Sequence, residues 1–553
     1  MTAVLGISAP AQIYTAAFQI QSANTDRGMR VTTDNAGNVI TTGYFGGSAD
    51  FDPGVASALL TPTGLSEDVY IAKYDAALNY LWAVKYGASG SDFSYALATD
   101  ASGNIIVGGD ISSNSRDGFV NKYDAAGNLM WSIVIGGVNK DVVYGVKTDA
   151  VNSVYVTGYF SNTVDFDPSP STFNLTSNGG RDIFLAKYDA AGTLVWAFNV
   201  GGPISTAYEE GGQDIAINGA NVYLAGNFEG TADFDPSVGS NTLTSNGSLD
   251  IFVAKYDTSG NYAWAFNVGS ANKHDYCYGI DIDASENVYI TGGFEETADF
   301  DPSVSTATLT SASVNAQDIY VAKYNSSGAY QWAFQAGGNT GVDDHAFDID
   351  VTPAGDVYIG GEVWGPADFD PSPGVTNINT SNDQVFFAKY TSAGSFVWVF
   401  EVGSTSGNGS ADNGFGVHVA NSGTLYVTGD FSGTADFDPS AATASLTSSG
   451  GDAFVAAYGT AIFTHVNNTG LENAALTVFP NPAAREATIR TDASLDNATL
   501  TLCNALGQEV KTMENISGQA ITLYRDNLPA GLYYIRLTQD GKLIVAGKLI
   551  ITD

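Results

Sequence analysis

Six times the chain carries the tetrapeptide Asp-Phe-Asp-Pro, beginning at Asp50, Asp165, Asp233, Asp299, Asp368 and Asp436. In extended backbone, residues two apart point to the same side. Each motif therefore sets two carboxylates opposite an aromatic ring: Asp50 with Asp52, Asp165 with Asp167, Asp233 with Asp235, Asp299 with Asp301, Asp368 with Asp370, and Asp436 with Asp438. Paired hard oxygens are what Ca2+ takes, in shells of about six to eight ligands. These aspartates are candidate calcium ligands, with loop carbonyls completing the shell. The competing reading is ordinary turn chemistry, in which the carboxylate accepts backbone N–H groups, Pro ends the strand and Phe packs inward. One repeat, around Gly109–Asp117, skips the motif, so the repeat itself does not require it and a surface role is favoured.

Other chemistry is sparse. His274, His345, His418 and His465 have neither metal-ligand spacing nor a partnered nucleophile, and no GxSxG, HExxH or P-loop occurs. No catalytic residue is assigned and the chain is read as a non-enzyme. Asp92, Asp141, Glu209, Glu210, Asp275, Asp343, Asp344 and Asp412 fall between repeats and predict an acidic face that attracts cations or basic ligands. Lys73, Lys122, Lys187, Lys255, Lys323 and Lys389 recur at one strand position. A buried ammonium requires a partner, so this recurrence predicts a structural pairing with a repeated Asp.

The elements that hold these residues repeat roughly every 65 to 70 residues, most visibly in DIFLAKYDAAGTLVWAFNVGG and DIFVAKYDTSGNYAWAFNVGS. Each unit reads as two hairpins of β-branched and aromatic runs with Gly-containing turns. Four antiparallel strands per unit describe a propeller blade. Trp82, Trp131, Trp196, Trp264, Trp332 and Trp398 mark successive fourth strands. The last unit, from Gly414, stops a strand short at Asp452–Tyr458, while Ile13–Ile20 precedes the first hairpin and aligns with a fourth strand, Ala16 standing in the Trp place. The fold class is all-β, a seven-bladed β-propeller over 12–463 closed by its N-terminal strand, then a linker over 464–475 and a small sandwich of about seven strands over 476–553. With KYD followed by Gly and Trp, the repeats resemble β-propeller repeats of large bacterial surface proteins.

Asp+Glu 59 against Lys+Arg 21 leaves a net charge of -38, which excludes binding to a phosphate backbone by the body of the protein. No apolar run is long enough to predict a transmembrane segment. Residues 1–11 end in Ala9-Pro10-Ala11 before Gln12 and read as the tail of a secretory signal. The C-terminal segment carries Pro480-Asn481-Pro482, NALGQEV from Asn504, Gly531-Leu532-Tyr533-Tyr534 and a terminal strand with Lys548. In this order these features resemble the C-terminal sorting domain of type IX secretion cargo from Bacteroidetes. The resemblance implies the type IX machinery as a partner and a secreted or surface-attached protein. A glycan or protein is the expected ligand; the alternatives are an enzyme with an acidic face and a structural matrix component.

Overall fold

β-Branched and aromatic residues dominate runs such as VITTGYF (Val39–Phe45) and DVYIAKY (Asp68–Tyr74), and both faces of these strands are buried. They are the middle strands of a four-stranded antiparallel sheet whose outer members are Asp26–Thr33 and Tyr80–Tyr86. The hairpins are set by aspartate: Asp34 Oδ1 accepts the Ala36 and Asn38 N–H groups, each at 2.9 Å, and Gly37 takes φ +79° at the turn. The computed structural model describes residues 12–552 except 113–114, 204–209, 272, 314, 339–340, 374–376, 404–411, 441, 460–475, 480, 482, 484, 505–508, 527, 530 and 540–541. Among the described residues there is no helix.

The pattern of sheet 1 recurs in sheets 2 to 7, whose first strands are Phe93–Thr99, Val142–Thr148, Gly211–Asn218, Tyr276–Ile282, His345–Val351 and Asn413–Val419. First strands touch in succession, and that of sheet 7 returns to that of sheet 1, so the sheets form a closed ring around an axis. The outer strand of sheet 7 is Ile13–Ile20, antiparallel to Ser445–Gly459, with Ile13 opposite Gly459 and Phe18 opposite Val455. This exchange covers an edge that would otherwise lie open.

A repeated clamp ties each of sheets 1 to 5 to the sheet that follows it. Lys73 Nζ lies 2.8 Å from Asp34 Oδ2 and donates to the Ala125 carbonyl of sheet 2 at 3.1 Å; Trp82, opposite Lys73 in register, donates Nε1–H to the same oxygen at 3.2 Å. Lys122 and Trp131 share Ala190 O, Lys187 and Trp196 share Thr258 O, Lys255 and Trp264 share Ser326 O, and Lys323 and Trp332 share Ser392 O. The expected acid partner is present at each lysine: Asp100, Asp149, Asp283 and Asp356 serve Lys122, Lys187, Lys323 and Lys389. Sheet 4 has no acid in its Asn218–Asn221 turn, and Glu286 reaches over from sheet 5 to Lys255. Where the ring closes, Ala457 and Ala16 stand opposite each other in the Lys and Trp places, and the Tyr426 hydroxyl donates to Ala76 O at 3.0 Å instead.

The chain divides into two compact units, Met1–Ala461 and Ile462–Asp553. In the second, Glu486–Asn504 pairs with Leu476–Phe479, Glu509–Tyr524 and Gly531–Gln539, and the last pairs with Lys542–Ile551. Five strands are described where the sequence pattern predicts about seven. Glu486–Asn504 and Glu509–Tyr524 run on through the positions read as turns, and their mutual register shifts at several points between Arg490 and Cys503. Bulges bend these strands where turns were expected to end them. Ile489, Leu500, Leu502, Ile535 and Leu537 form the core of this unit.

The clamp predicts a gradient in cost. Lys122 and Asp100 are 2% and 0% exposed as side chains. Lys122→Met strands a buried carboxylate and should cost about 3–5 kcal/mol in urea unfolding. Lys389→Met, whose partner Asp356 is 38% exposed, should cost less than about 1 kcal/mol. Equal losses contradict the clamp.

Candidate functional site

The Asp-Phe-Asp-Pro motifs sit where each second strand leaves its sheet, and their polar atoms are engaged locally. Asp299 Oδ1 accepts the Asp301 N–H at 3.1 Å and the Ala307 N–H at 2.8 Å, and Asp301 Oδ1 accepts the Ser303 N–H at 2.9 Å. Phe300 is fully buried, and its carbonyl accepts the Tyr324 hydroxyl at 3.0 Å. The same first-Asp contact recurs in Asp50/Asp52, Asp165/Asp167, Asp233/Asp235, Asp368/Asp370 and Asp436/Asp438. Tyr74, Tyr188, Tyr256, Tyr390 and Tyr458 hold the matching Phe carbonyls. Sheet 2 lacks the motif. There Asn121 replaces the Ala of AKY and donates to the Tyr123 hydroxyl at 3.2 Å, so this hydroxyl is engaged by a side chain of its own strand and not by a loop carbonyl. Among the described residues, no group of three or more His, Cys, Asp or Glu is placed to hold a metal.

The acids between repeats do not make an acidic face. Asp92, Asp141, Asp275, Asp344 and Asp412 are buried, as is Asp26 at the equivalent place in sheet 1. Asp141 shows why: its Oδ2 accepts the Gly137 N–H at 2.9 Å and its Oδ1 the Ser161 N–H at 2.8 Å, pinning the outer strand of one sheet to the second strand of the next. Glu210 is also buried, Asp343 accepts the Gln317 N–H at 2.9 Å, and Glu209 lies outside the described residues. A second acid, opening the third strand of the preceding sheet, lies close to each of several of these. Burial first, and the like charge of Asp452, Asp117, Asp250 and Asp344 second, push Asp26, Asp141, Asp275 and Asp318 up to about 7. Gly87 marks one such meeting: a Cβ there would lie 2.5 Å from Asp68 Oδ1 and 2.7 Å from Asp92 Oδ2.

What departs from the repeat lies on the axis. First-strand side chains line a cavity with Arg30, Thr32, Tyr144, Lys147, Asp214, Asp281, Asp348, Asp350 and His418 in its wall. Burial opposes the charge on Lys147, but Asp214, Asp281, Asp348 and Asp350 together outweigh it and hold the ammonium above its ordinary range. Burial and the neighbouring Asp350 push Asp281 up to about 8. His418 Nδ1 lies 3.0 Å from Asp350 Oδ2 while its Nε2 lies 2.9 Å from Thr33 Oγ1. All four aspartates also serve the ring, accepting first-strand N–H groups of the next sheet: Asp281 from Val351, Asp348 from Val417, Asp350 from Val419 and Asp214 from Ile280.

Along the same strands, towards the ends that bear the long loops, rings collect. Tyr95 lies 5.3 Å from Tyr144, Tyr278 lies 5.4 Å from Phe347, Phe347 lies 5.1 Å from Phe415, and the Arg27 guanidinium lies over Phe415. Aromatic collar and charged floor together suit a ligand with both apolar faces and polar groups. Sequence reasoning missed this site. The available signal was the failure to repeat: Ala98, Lys147, Asp281, Asp350 and His418 occupy corresponding positions in sheets 2, 3, 5, 6 and 7.

Residues 477–552 match the family described as a secretion system C-terminal sorting domain. The chain ends in a type IX sorting tail. It directs the protein to secretion and to the cell surface, and the chain as a whole is a β-propeller repeat protein carrying that tail. Of the residues expected to carry the signal, Gly531 opens a strand opposite Ile551, Tyr533 is buried with its hydroxyl on Pro529 O at 2.8 Å, Asn481 is exposed, and Lys548 pairs with Tyr534. Pro480 and Pro482 lie outside the described residues. Over 77% of its length the chain is 24% identical to a WD repeat-containing protein of Acanthamoeba polyphaga mimivirus, and spans 36% of that relative. Two solved structures are similar at low scores. Sqt1 of Chaetomium thermophilum is 9% identical, with 81% of this chain and 99% of that one covered and a TM-score of 0.37. PorZ of Porphyromonas gingivalis is 10% identical, with 97% and 100% covered and a TM-score of 0.16. No helix among the described residues is long and apolar enough to cross a membrane.

The buried aspartates fix a pH dependence. An unfolded aspartate loses its proton near 3.8, whereas Asp26, Asp141, Asp275 and Asp318 keep theirs in the folded protein to about 7. Between those values the folded chain binds more protons than the unfolded one, so stability falls as pH rises. Turn aspartates such as Asp75 and Asp257, held low by their hydrogen bonds to Asn79 and Asn261, act in the opposite sense only in stronger acid. Tm should be higher at about pH 5 than at about pH 8; a level or rising Tm contradicts this assignment.

Proposed function

We propose that the chain is a seven-bladed β-propeller with a small sandwich as its sorting tail, displayed on a Bacteroidetes cell as a non-enzymatic binding module. Its ligand, a glycan or a protein, enters at the aromatic end of the axis. The carrying observation is that the axial side chains break the repeat while the loops obey it. Lys147, Arg30 and His418 stand unrepeated among the four aspartates, and recognition of one ligand requires such unique groups. The half-buried rings of Tyr95, Tyr144, Tyr278 and Phe347 supply stacking surface for sugar faces or apolar side chains.

Screening the secreted protein against glycan arrays and surface extracts tests this. Tyr278→Ala with Phe347→Ala should lower capture at least about tenfold, as expected when rings worth about 1.4 kcal/mol in total are lost, with Tm little changed. Capture unaffected by the double variant refutes the axial site. Deleting 476–553 should leave a folded propeller that is not displayed; normal display of the shortened chain refutes the tail's role.

One observation supports a second reading, that of a hydrolase. Thr33, His418 and Asp350 form a hydroxyl–imidazole–carboxylate chain, the arrangement that activates an oxygen nucleophile. Hydrolysis of activated esters abolished by His418→Ala would favour this reading over the binding module.

A further inference from the structure

We propose that the rim of the axial mouth over sheets 2 and 3 is a subsite for an acidic glycan, taking the carboxylate or sulfate of a sugar that stacks beside it; this rests on the axial binding reading and narrows it. The propeller holds four arginines, Arg27, Arg30, Arg116 and Arg181, and all belong to sheets 1 to 3. A chain of net charge -38 thus concentrates scarce cations at one place. Arg116 and Arg181 occupy one position, directly before the acid that opens the third strand, where sheets 1, 4 and 5 carry Glu67, Leu249 and Gln317.

One oxygen brings two of the cations together. Asp110 Oδ2 lies 2.6 Å from Arg116 Nε and 3.9 Å from Lys140 Nζ; the acid is fully buried, while the two cationic side chains are 36% and 34% exposed. Among the described residues, no other carboxylate lies within ion-pair distance of either. Asp117 and Asp141, the other acids of this seam, are held by the Ser115 hydroxyl at 2.8 Å and by the Gly137 and Ser161 N–H groups. Burial pulls the Lys140 ammonium below its ordinary range; Asp110 opposes this, and the like charge of Arg116 and Arg181 adds to it. Three cations therefore crowd around one buried acid, and an anion arriving from solvent relieves their repulsion. At the place of Asp110, sheets 6 and 7 carry Glu362 and Asp430, paired singly with His345 and Arg27, so the excess of cations belongs to sheets 2 and 3. The backbone is strained at the same point: Arg116 takes φ +63°, where sheet 7 uses Gly451 at φ +93°.

The surface between these cations is aromatic. The Arg116 guanidinium lies 4.8 Å over Phe93 and that of Arg181 lies 4.3 Å over Tyr159. Between them the rings run without a break, Phe93 to Tyr95 at 6.4 Å, Tyr95 to Tyr144 at 5.3 Å and Tyr144 to Tyr159 at 5.8 Å. Phe93, Tyr95 and Tyr144 are half-buried, so ring faces and positive charge are offered side by side. Arg116 engages Asp110 through Nε, and a guanidinium takes an oxyanion through parallel N–H groups. An acidic sugar meets both features, whereas an aspartate or glutamate side chain of a peptide leaves the rings unused.

The test titrates the full chain calorimetrically with oligogalacturonate, its methyl ester, a sulfated oligosaccharide of matched length and polyglutamate. Oligogalacturonate or the sulfated oligosaccharide should bind at least about tenfold more tightly than the uncharged ester, and comparison of the two identifies the acid. Lys140→Gln with Arg181→Gln, which keeps the Arg116–Asp110 pair, should lower that acidic binding about tenfold with Tm little changed. Lys140→Gln alone should give part of the loss and serves should the double variant misfold. The proposal is overturned if neither acidic glycan binds, if ester and acid bind equally, if acidic binding survives the double variant, or if polyglutamate alone binds. Equal binding of ester and acid that is lost in Tyr278→Ala with Phe347→Ala would overturn this inference and leave the axial reading standing. Acidic binding lost with Lys140 and Arg181 but unmoved by Tyr278→Ala with Phe347→Ala would overturn the axial reading alone.

Discussion

A buried ammonium shared between two sheets is the contact on which the ring depends. A lysine in the third strand takes its charge partner from a hairpin turn and then, together with a tryptophan beside it, donates to one carbonyl of the following sheet. Lys122 is the extreme case, with its Nζ 2.8 Å from Asp100 Oδ2 and 2% of its side chain exposed. In that interior, removal of either partner is far costlier than formation of the pair is stabilising. Register between neighbouring sheets is therefore set by a penalty for misalignment as well as by apolar packing, which can slide.

The same logic explains why so acidic a chain folds. Many of its aspartates are internal connectors. One set caps hairpin turns, another pins strand ends across seams, and the Asp-Phe-Asp-Pro set folds the long loop back onto a tyrosine. Sheet 2 is the natural control: it has no such loop, and Asn121 takes over the tyrosine hydroxyl. A carboxylate accepts several N–H groups at once, so one residue type performs all these connections, and the seam aspartates hold protons that surface acids would have shed.

Strand periodicity, the Trp series and the alignment of Ile13–Ile20 with fourth strands made the sheets and the exchanged strand legible in the sequence. The paired lysines were legible too, because a repeated cation in a chain poor in cations demands a repeated anion. The acids between repeats misled, since nothing local in the sequence distinguishes Asp141 on a surface loop from Asp141 buried across a seam; its partners, Gly137 and Ser161, belong to two different sheets. Lys147, Asp281, Asp350 and His418 were invisible for the complementary reason. They lie far apart in the chain, and only closure of the ring brings them to one cavity.

Closure is thus the event that creates the candidate site, at a seam where Ala457 and Ala16 stand in the Lys and Trp places, and hydrogen exchange of the full chain tests it most directly. Amides of Ile13–Ile20 should be protected, and under mild denaturant they should open together with those of Ser445–Gly459, before the sheets joined by Lys–Trp clamps. Unprotected amides in Ile13–Ile20, or exchange there independent of Ser445–Gly459, would contradict the account.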